Sequence, residues 1–147
     1  MSTLNLSKAA QGERVVLRRL LWVAPLAIAA ASVANLIVFW TAVALFPSVG
    51  QFPMLGTLPI IASTAAYLLV AAAVFVVVGK LSSRPVTHYR IIAVVALLLS
   101  FGAPLSAGAG FMPGASADGA TVVTLLVMHV VAAAITVPLF TTLAVEK

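Results

Sequence analysis

The stretch LLVMHVVAAAITVPLF, from Leu125 to Phe140, carries a single ionisable side chain, His129. An apolar run of this length is typical of a helix in very apolar surroundings. The whole 147-residue chain is 63% hydrophobic and 7% charged, whereas ordinary soluble domains are about 25% charged. The composition therefore indicates that lipid, and not water, surrounds most of the chain.

Four apolar segments have the length of about 20 residues that a helix needs to cross ~30 Å of hydrocarbon. They lie at about 20–45, 58–78, 91–110 and 121–143. Backbone polar groups in lipid need partners within the chain, so the segments should be helical. We therefore predict an all-α fold, a transmembrane four-helix bundle in which short connections make neighbouring helices antiparallel. Residues 1–147 form a single integral membrane domain in this prediction.

The first segment also resembles a secretory signal, because APLAIAAASVA has the small residues of a cleavage region. The apolar run continues through NLIVFWTAVALF, however, which is too long for a signal core. We predict an uncleaved span. For the first dozen residues we expect either disorder or an interfacial helix.

The basic residues all fall on one side of a four-span arrangement. They are Lys8, Arg14, Arg18, Arg19, Lys80, Arg84, Arg90 and Lys147. Because basic segments stay in the cytoplasm, both termini and the middle loop are predicted to be cytoplasmic. The net charge of +5 is thus explained by topology and not by a nucleic-acid partner. The same cations could also contact anionic lipid head groups.

One polar side chain on each span is predicted to lie at a common depth. At 1.5 Å per residue, Asn35, Thr64, Ser106 and His129 each lie roughly 24–25 Å from the cytoplasmic end of their helix. Tyr67 flanks this level on the second helix. Polar groups in lipid usually face the bundle interior, so a hydrogen bond between Asn35 and His129 is chemically reasonable.

Three interpretations of His129 remain open: a core residue that sets helix register, a ligand-binding or proton-handling group, and a water-exposed residue near the outer mouth. Paired-histidine haem ligation needs a second intramembrane histidine, and His88 lies in the cytoplasmic loop. No zinc ligands converge on the site, and no span contains an acidic residue for proton transport. Asp118 is the only outer carboxylate available to a catalytic triad. We therefore predict no cofactor, no metal and no enzymatic activity.

Small residues predict where the helices approach closely. Gly102, Ser106 and Gly110 are four apart on one face of the third span, as in small-xxx-small contacts. The first span offers two pairs with the same spacing, Ala27 and Ala31 or Ala30 and Ala34, and the second span offers Ala62 and Ala66. 

Two prolines fall inside predicted spans. Pro104 and Pro138 should bend or locally break the third and fourth helices, and Ser100 is within reach of the turn that Pro104 disturbs.

Two stretches, LLLSFGAPLS and MHVVAAAITVPLF, carry a family resemblance. Each resembles the corresponding part of a group of small bacterial four-span proteins, known as domain of unknown function number 6069. The matching positions are Ser100, Pro104, Leu105, Met128, His129, Pro138 and Leu139. The resemblance implies a bacterial cytoplasmic membrane and suggests no substrate or cofactor.

Two functions fit these observations. The first is a non-enzymatic membrane protein with a structural or accessory role, either as a homo-oligomer or within a larger membrane complex, with membrane lipid as its surroundings. It predicts a closed, dry interior. The alternative is a small-molecule binder or transporter that uses the polar site around His129 and Asn35. It predicts a cavity at His129.

Overall fold

The computed structural model describes residues 13–146, and helices account for most of them. The elements are β1 (Arg14–Val15), α1 (Leu17–Leu45), a 3-10 helix (Pro47–Gln51), α2 (Thr57–Leu81), α3 (Pro85–Ser100), α4 (Gly102–Gly108), α5 (Gly119–Leu143) and β2 (Val145–Glu146). The predictions for the first dozen residues, and the cations Lys8 and Lys147, lie outside the described residues.

Four helical stretches are long and apolar enough to cross a membrane: α1, α2, α3 with α4 (Pro85–Gly108), and α5. The prediction of an all-α chain with four spans is confirmed, and the chain is a multi-pass membrane protein. Several helices extend past the apolar runs into charged sequence, since hydropathy marks the hydrocarbon layer and not the helix ends. The third span, for example, begins at Pro85, where the missing N–H of proline suits a first helical turn.

The third span is interrupted, as predicted from Pro104. A turn at Phe101 separates α3 from α4, because the proline ring has no N–H and collides with the carbonyl four residues earlier. Ser100 Oγ donates a hydrogen bond of 2.6 Å to the Leu97 carbonyl in the last turn of α3. The hydroxyl thus satisfies a carbonyl next to the break.

Pro138 does not interrupt its helix, so the expectation of a local break is wrong there. It lies inside α5, which continues to Leu143. Thr142 Oγ1 donates to the Pro138 carbonyl at 2.6 Å, four residues earlier, within this last turn. 

Two hydrophobic clusters form the core. The termini-side cluster includes Val23, Ala27 and Ala31 on α1, all with no solvent exposure, together with Phe75 and Phe140. The loop-side cluster contains Phe39, Val49, Phe52, Leu55, Ile60, Ala107, Ala115, Ala117 and Met128. Ala27 and Ala31 therefore supply the small-residue face of α1, as their spacing predicts.

Three aromatic rings join three different helices in the termini-side cluster. The Phe75 ring of α2 lies 4.7 Å from Tyr89 of α3 and 5.7 Å from Phe140 of α5, measured between centroids. Edge-on and tilted pairs of this kind contribute about 0.5–1.5 kcal/mol beyond their buried area. 

Polar contacts tie both ends of α1 to α5. At one end β1 pairs antiparallel with β2, and Arg19 donates to the Val145 carbonyl at 2.8 Å and to Glu146 at 3.0 Å. At the other end Ser48 Oγ donates to Asp118 Oδ2 at 2.6 Å. The start of α1 therefore lies beside the end of α5, and the end of α1 lies near the start of α5.

Asp118 is the N-cap residue of α5. Its Oδ1 accepts a hydrogen bond of 2.8 Å from the Thr121 N–H, which satisfies one of the free donors of the first turn. The hydrogen bonds from Ser48 and Thr121 hold the pKa of Asp118 below its usual value. The carboxylate is thus kept ionised at the positive end of the helix.

Glycine is required at one close contact between α2 and β1. A Cβ atom at Gly79 would lie 2.5 Å from Val15 Cγ2 and 2.7 Å from Val15 Cβ, whereas a Cβ at Gly102 would meet nothing within 4 Å. The absence of a side chain at Gly79 allows the N-terminal strand to pack on α2.

We predict that Gly79→Ala lowers the free energy of unfolding by about 1–3 kcal/mol, the usual effect of overpacking. Gly102→Ala, the matched control, should leave it unchanged or raise it by up to ~1 kcal/mol through helix propensity. Unfolding of the detergent-solubilised variants followed by circular dichroism measures both. Adding Val15→Ala should restore part of the loss at Gly79. If Gly79→Ala and Gly102→Ala change the free energy of unfolding equally, the close contact between Gly79 and Val15 is contradicted.

Candidate functional site: the buried polar layer

A layer of buried polar side chains lies between the two hydrophobic clusters. On α1, Ser32 and Asn35 come between Ala31 of the termini-side cluster and Phe39 of the loop-side cluster. On α2, Thr64 has the corresponding position between Ile60 and Leu68. All three polar side chains are buried. On these two helices, the predicted polar residues therefore do lie in one buried layer.

Asn35 forms the hydrogen bond that links α1 to α2 in this layer. Its Nδ2 donates to Thr64 Oγ1 at 3.2 Å, and both residues are at least nine-tenths buried. The predicted common depth of Asn35 and Thr64 is confirmed by this contact. The amide oxygen of Asn35 has no hydrogen-bond partner among the described residues.

His129 makes no hydrogen bond to this pair, so the predicted Asn35–His129 hydrogen bond is wrong. The side chain is half-buried, and Nδ1 lies 2.6 Å from the Leu125 carbonyl of its own helix. A carbonyl only accepts, so Nδ1 carries a proton and Nε2 is the acceptor of the neutral ring. A carbonyl one turn back is always within reach of a helical side chain, and it competes with partners on other helices.

Tyr67 and Ser106 also lie outside the predicted interior site. Tyr67 is 72% exposed, because the buried stripe of α2 runs through Thr64 and Leu68 and leaves Tyr67 to one side. Ser106, on α4, is half-buried and donates to the carbonyl of Ala103 at 2.9 Å within its own helix. The structure thus brings together Asn35 and Thr64 from the predicted set, and not the other three.

Two further buried hydroxyls were absent from the predicted site. The oxygens of Ser32 and Thr136 are buried and have no hydrogen-bond partner among the described residues. Ser32 is three residues before Asn35, so it faces the same side of α1. That spacing is a sequence signal that could have placed Ser32 in the layer.

The chemistry available to this layer is neutral hydrogen bonding. Asn35 Oδ1 is an acceptor, and the hydroxyls of Ser32 and Thr136 can donate or accept. Buried polar atoms without protein partners are commonly satisfied by ordered water. Within residues 13–146, no group of three or more His, Cys, Asp or Glu side chains could hold a metal ion.

The predicted face of Gly102, Ser106 and Gly110 makes no tight contact within the chain. Both glycines are exposed, and a Cβ at either position would meet nothing within 4 Å. Instead Gly108 packs on α5, where an added Cβ would lie 2.7 Å from Val122 Cγ2. The neighbouring Ala107 is 1% exposed. The contact surface of α4 is thus rotated away from the predicted face.

A protein-family model described as "Family of unknown function (DUF6069)" matches residues 15–145. The chain belongs to the DUF6069 family. This confirms the resemblance predicted from the LLLSFGAPLS and MHVVAAAITVPLF stretches. No curated protein and no solved structure matches the chain. The DUF6069 match covers all four spans, and the description of the family names no activity.

For this DUF6069 protein we predict a measurable coupling between Asn35 and Thr64. In a double-mutant cycle with Asn35→Ala and Thr64→Val, the coupling free energy should be about 0.6 kcal/mol, and at most ~1.7 kcal/mol, as for other interhelical bonds in membranes. Reversible unfolding in mixed detergent micelles measures it.

The control cycle pairs Asn35→Ala with His129→Leu, and its effects should add within ~0.5 kcal/mol because the histidine bonds to its own helix. If Asn35 couples more strongly to His129 than to Thr64, the result would favour the Asn35–His129 hydrogen bond predicted from the sequence.

Proposed function

We propose that this DUF6069 protein is a non-enzymatic subunit of a membrane assembly in the bacterial cytoplasmic membrane. In this proposal the four spans are antiparallel neighbours, both termini are cytoplasmic, and the role of the protein is structural or accessory. Its partners are membrane lipid and either further copies of itself or a larger complex.

Contacts at one end of the molecule support the orientation. Val15 packs at Gly79 near the end of α2, and Arg19 pairs with Glu146 after α5. β1, β2 and the α2–α3 connection therefore gather at one end of the bundle. All six described cations belong to segments at this end, namely Arg14, Arg18, Arg19, Lys80, Arg84 and Arg90. The positive-inside rule assigns such an end to the cytoplasm.

The observation that carries the accessory role is the unoccupied face of the third span. Of the four spans, Pro85–Gly108 has the smallest share of its apolar window buried within the chain, 11% against 33% for α1. Gly102 leaves open space on this span, since an added Cβ would meet none of the described residues within 4 Å. Small residues on an open helix face suit close contact with another transmembrane helix.

The alternative function, a small-molecule binder or transporter, is favoured by the unpartnered oxygens of Asn35, Ser32 and Thr136. Against it, His129 and Ser106 bond within their own helices, which leaves fewer groups to orient a ligand. Native mass spectrometry in mild detergent separates the two functions. A defined oligomer supports the accessory role, and a polar molecule retained by the wild type but lost in Asn35→Leu supports the binder.

The chain contains no cysteine, so single cysteines report the topology directly. Ser83 and Ser116 are exposed in the connections at opposite ends of the bundle. We predict that Ser116→Cys reacts with a membrane-impermeant maleimide on intact cells, and that Ser83→Cys reacts only after permeabilisation. The unsubstituted protein is the background control. The reverse pattern would overturn the proposed orientation.

For the assembly we predict that Gly102→Leu dissociates the oligomer without unfolding the protomer, since none of residues 13–146 has an atom within 4 Å of a Cβ at this position. Ala66→Leu makes a similar small-to-large change on an exposed position of α2 and should leave the oligomer intact. Native mass spectrometry gives the oligomeric state, and circular dichroism reports folding. A wild-type protein that is monomeric in a bilayer mimetic and binds no other protein would refute the accessory role.

A further inference from the structure

A groove of about 690 Å³ lies between α2 and α3 at the end of the bundle that carries the cations. This volume is within the ~300–1,000 Å³ of typical small-molecule sites. The groove belongs to neither the polar layer nor the open face of the third span.

Aliphatic side chains form the walls of the groove. Val70, Val74 and Val77 line it on α2, and Ile92 lines it on α3. Ala73, between the valines, is exposed and has only a methyl group to fill the space. The small side chain therefore contributes to the gap between the two helices.

The length of the groove corresponds to one leaflet of a bilayer. On α2 it extends from Val70 to Leu81, eleven positions later, which corresponds to roughly 16 Å at 1.5 Å per residue. This is about half of the ~30 Å hydrocarbon thickness. A single extended acyl chain occupies this depth, since each leaflet supplies half of the hydrocarbon layer.

The groove has one polar end, formed by Ser82, Ser83 and His88 where α2 ends and α3 begins. Ser82 Oγ accepts from the Arg84 N–H at 3.0 Å and lies 2.5 Å from His88 Nδ1. When this hydroxyl donates a hydrogen bond to Nδ1, the neutral ring carries its own proton on Nε2. The second ring nitrogen is then a donor at the polar end.

The charge at this end is positive. Lys80 and Arg84 flank the polar residues in the sequence and are both exposed. Of the three acidic residues, all of them within the described range, none lines the groove. Glu146 pairs with Arg19, and Asp118 lies at the opposite end with Ser48. Lys80 and Arg84 do not line the groove themselves, but they are next to residues that do, so an anionic group at the polar end would have these two cations close by in addition to the hydroxyls of Ser82 and Ser83.

We propose that this groove is a specific site for one anionic phospholipid, with an acyl chain between α2 and α3 and the phosphate head group at Ser83, Arg84 and His88. The occupant is a lipid and not a free anion, because a long apolar groove leads directly from the cationic end. The inference rests on the membrane topology proposed above and adds the class of lipid that binds at the cationic end.

The experiment is native mass spectrometry of the full chain released from bilayers that contain phosphatidylglycerol and phosphatidylcholine in equal amounts, with identical acyl chains. The wild type should retain one phosphatidylglycerol in preference to phosphatidylcholine. Arg84→Gln and Lys80→Gln should each reduce this preference by about fivefold, the equivalent of ~1 kcal/mol per cation near the surface. Arg18→Gln, the matched charge control away from the groove, should not change it.

A second pair of variants tests the groove itself. Ala73→Phe should fill it and abolish retention of both lipids, whereas Ala62→Phe, on another exposed position of α2, should not. Ala73→Leu provides a smaller change if the Phe variant does not fold by circular dichroism. Retention that is unaffected by filling, or equal retention of the two lipids, would overturn the proposal. Maleimide labelling at Ser116, which lies outside the groove, reports the topology independently of lipid retention, so failure of this site and failure of the proposed topology are distinguishable.

Discussion

The fold depends on one constraint: in hydrocarbon, each backbone N–H and C=O needs a partner within the chain. Four helices satisfy it along their length. Several polar side chains also find partners on their own helix, because Thr124 and Thr141 donate to carbonyls four residues earlier, and Ser106 to one three residues earlier. The Asn35–Thr64 bond instead joins two helices. Most polar groups at membrane depth thus stabilise their own helix and carry little information about its neighbours.

Helix association must then come mainly from close packing, since lipid tails are as apolar as the side chains they would replace. α1 provides this at Ala27 and Ala31, which are fully buried. The aromatic rings of Phe75, Tyr89 and Phe140 fill the space between the other helices. The ion pair and the short strands at the chain ends join α1 to α5 where water is available, outside the layer in which charges are costly.

The sequence predicts position along each helix well and rotation about each helix poorly. Depth follows from a constant rise per residue, so Asn35 and Thr64 were correctly assigned to one level. Rotation is normally revealed by a polar face, but these spans are apolar on all sides. For this reason the predicted partner of His129 is wrong, and so is the prediction that Tyr67 lies inside the bundle. The predicted contact at Gly102 is also not made within the described residues. The missing N–H and the ring of proline predict the break near Pro104 correctly, but Pro138 has the same covalent structure inside a continuous helix, so proline alone does not decide where a span breaks.

Rotation also decides what each small residue does. Ala27 faces neighbouring helices and is buried, Ala73 faces a gap and leaves a groove, and Gly102 faces outward. In the proposed topology and lipid site, the cations near the groove would have two roles at once, because the charges that would hold an anionic head group would also orient the chain in the membrane. Charge removal alone therefore perturbs both roles. Ala73 is uncharged, so filling the groove at this position would change lipid binding without changing the charges that set the topology.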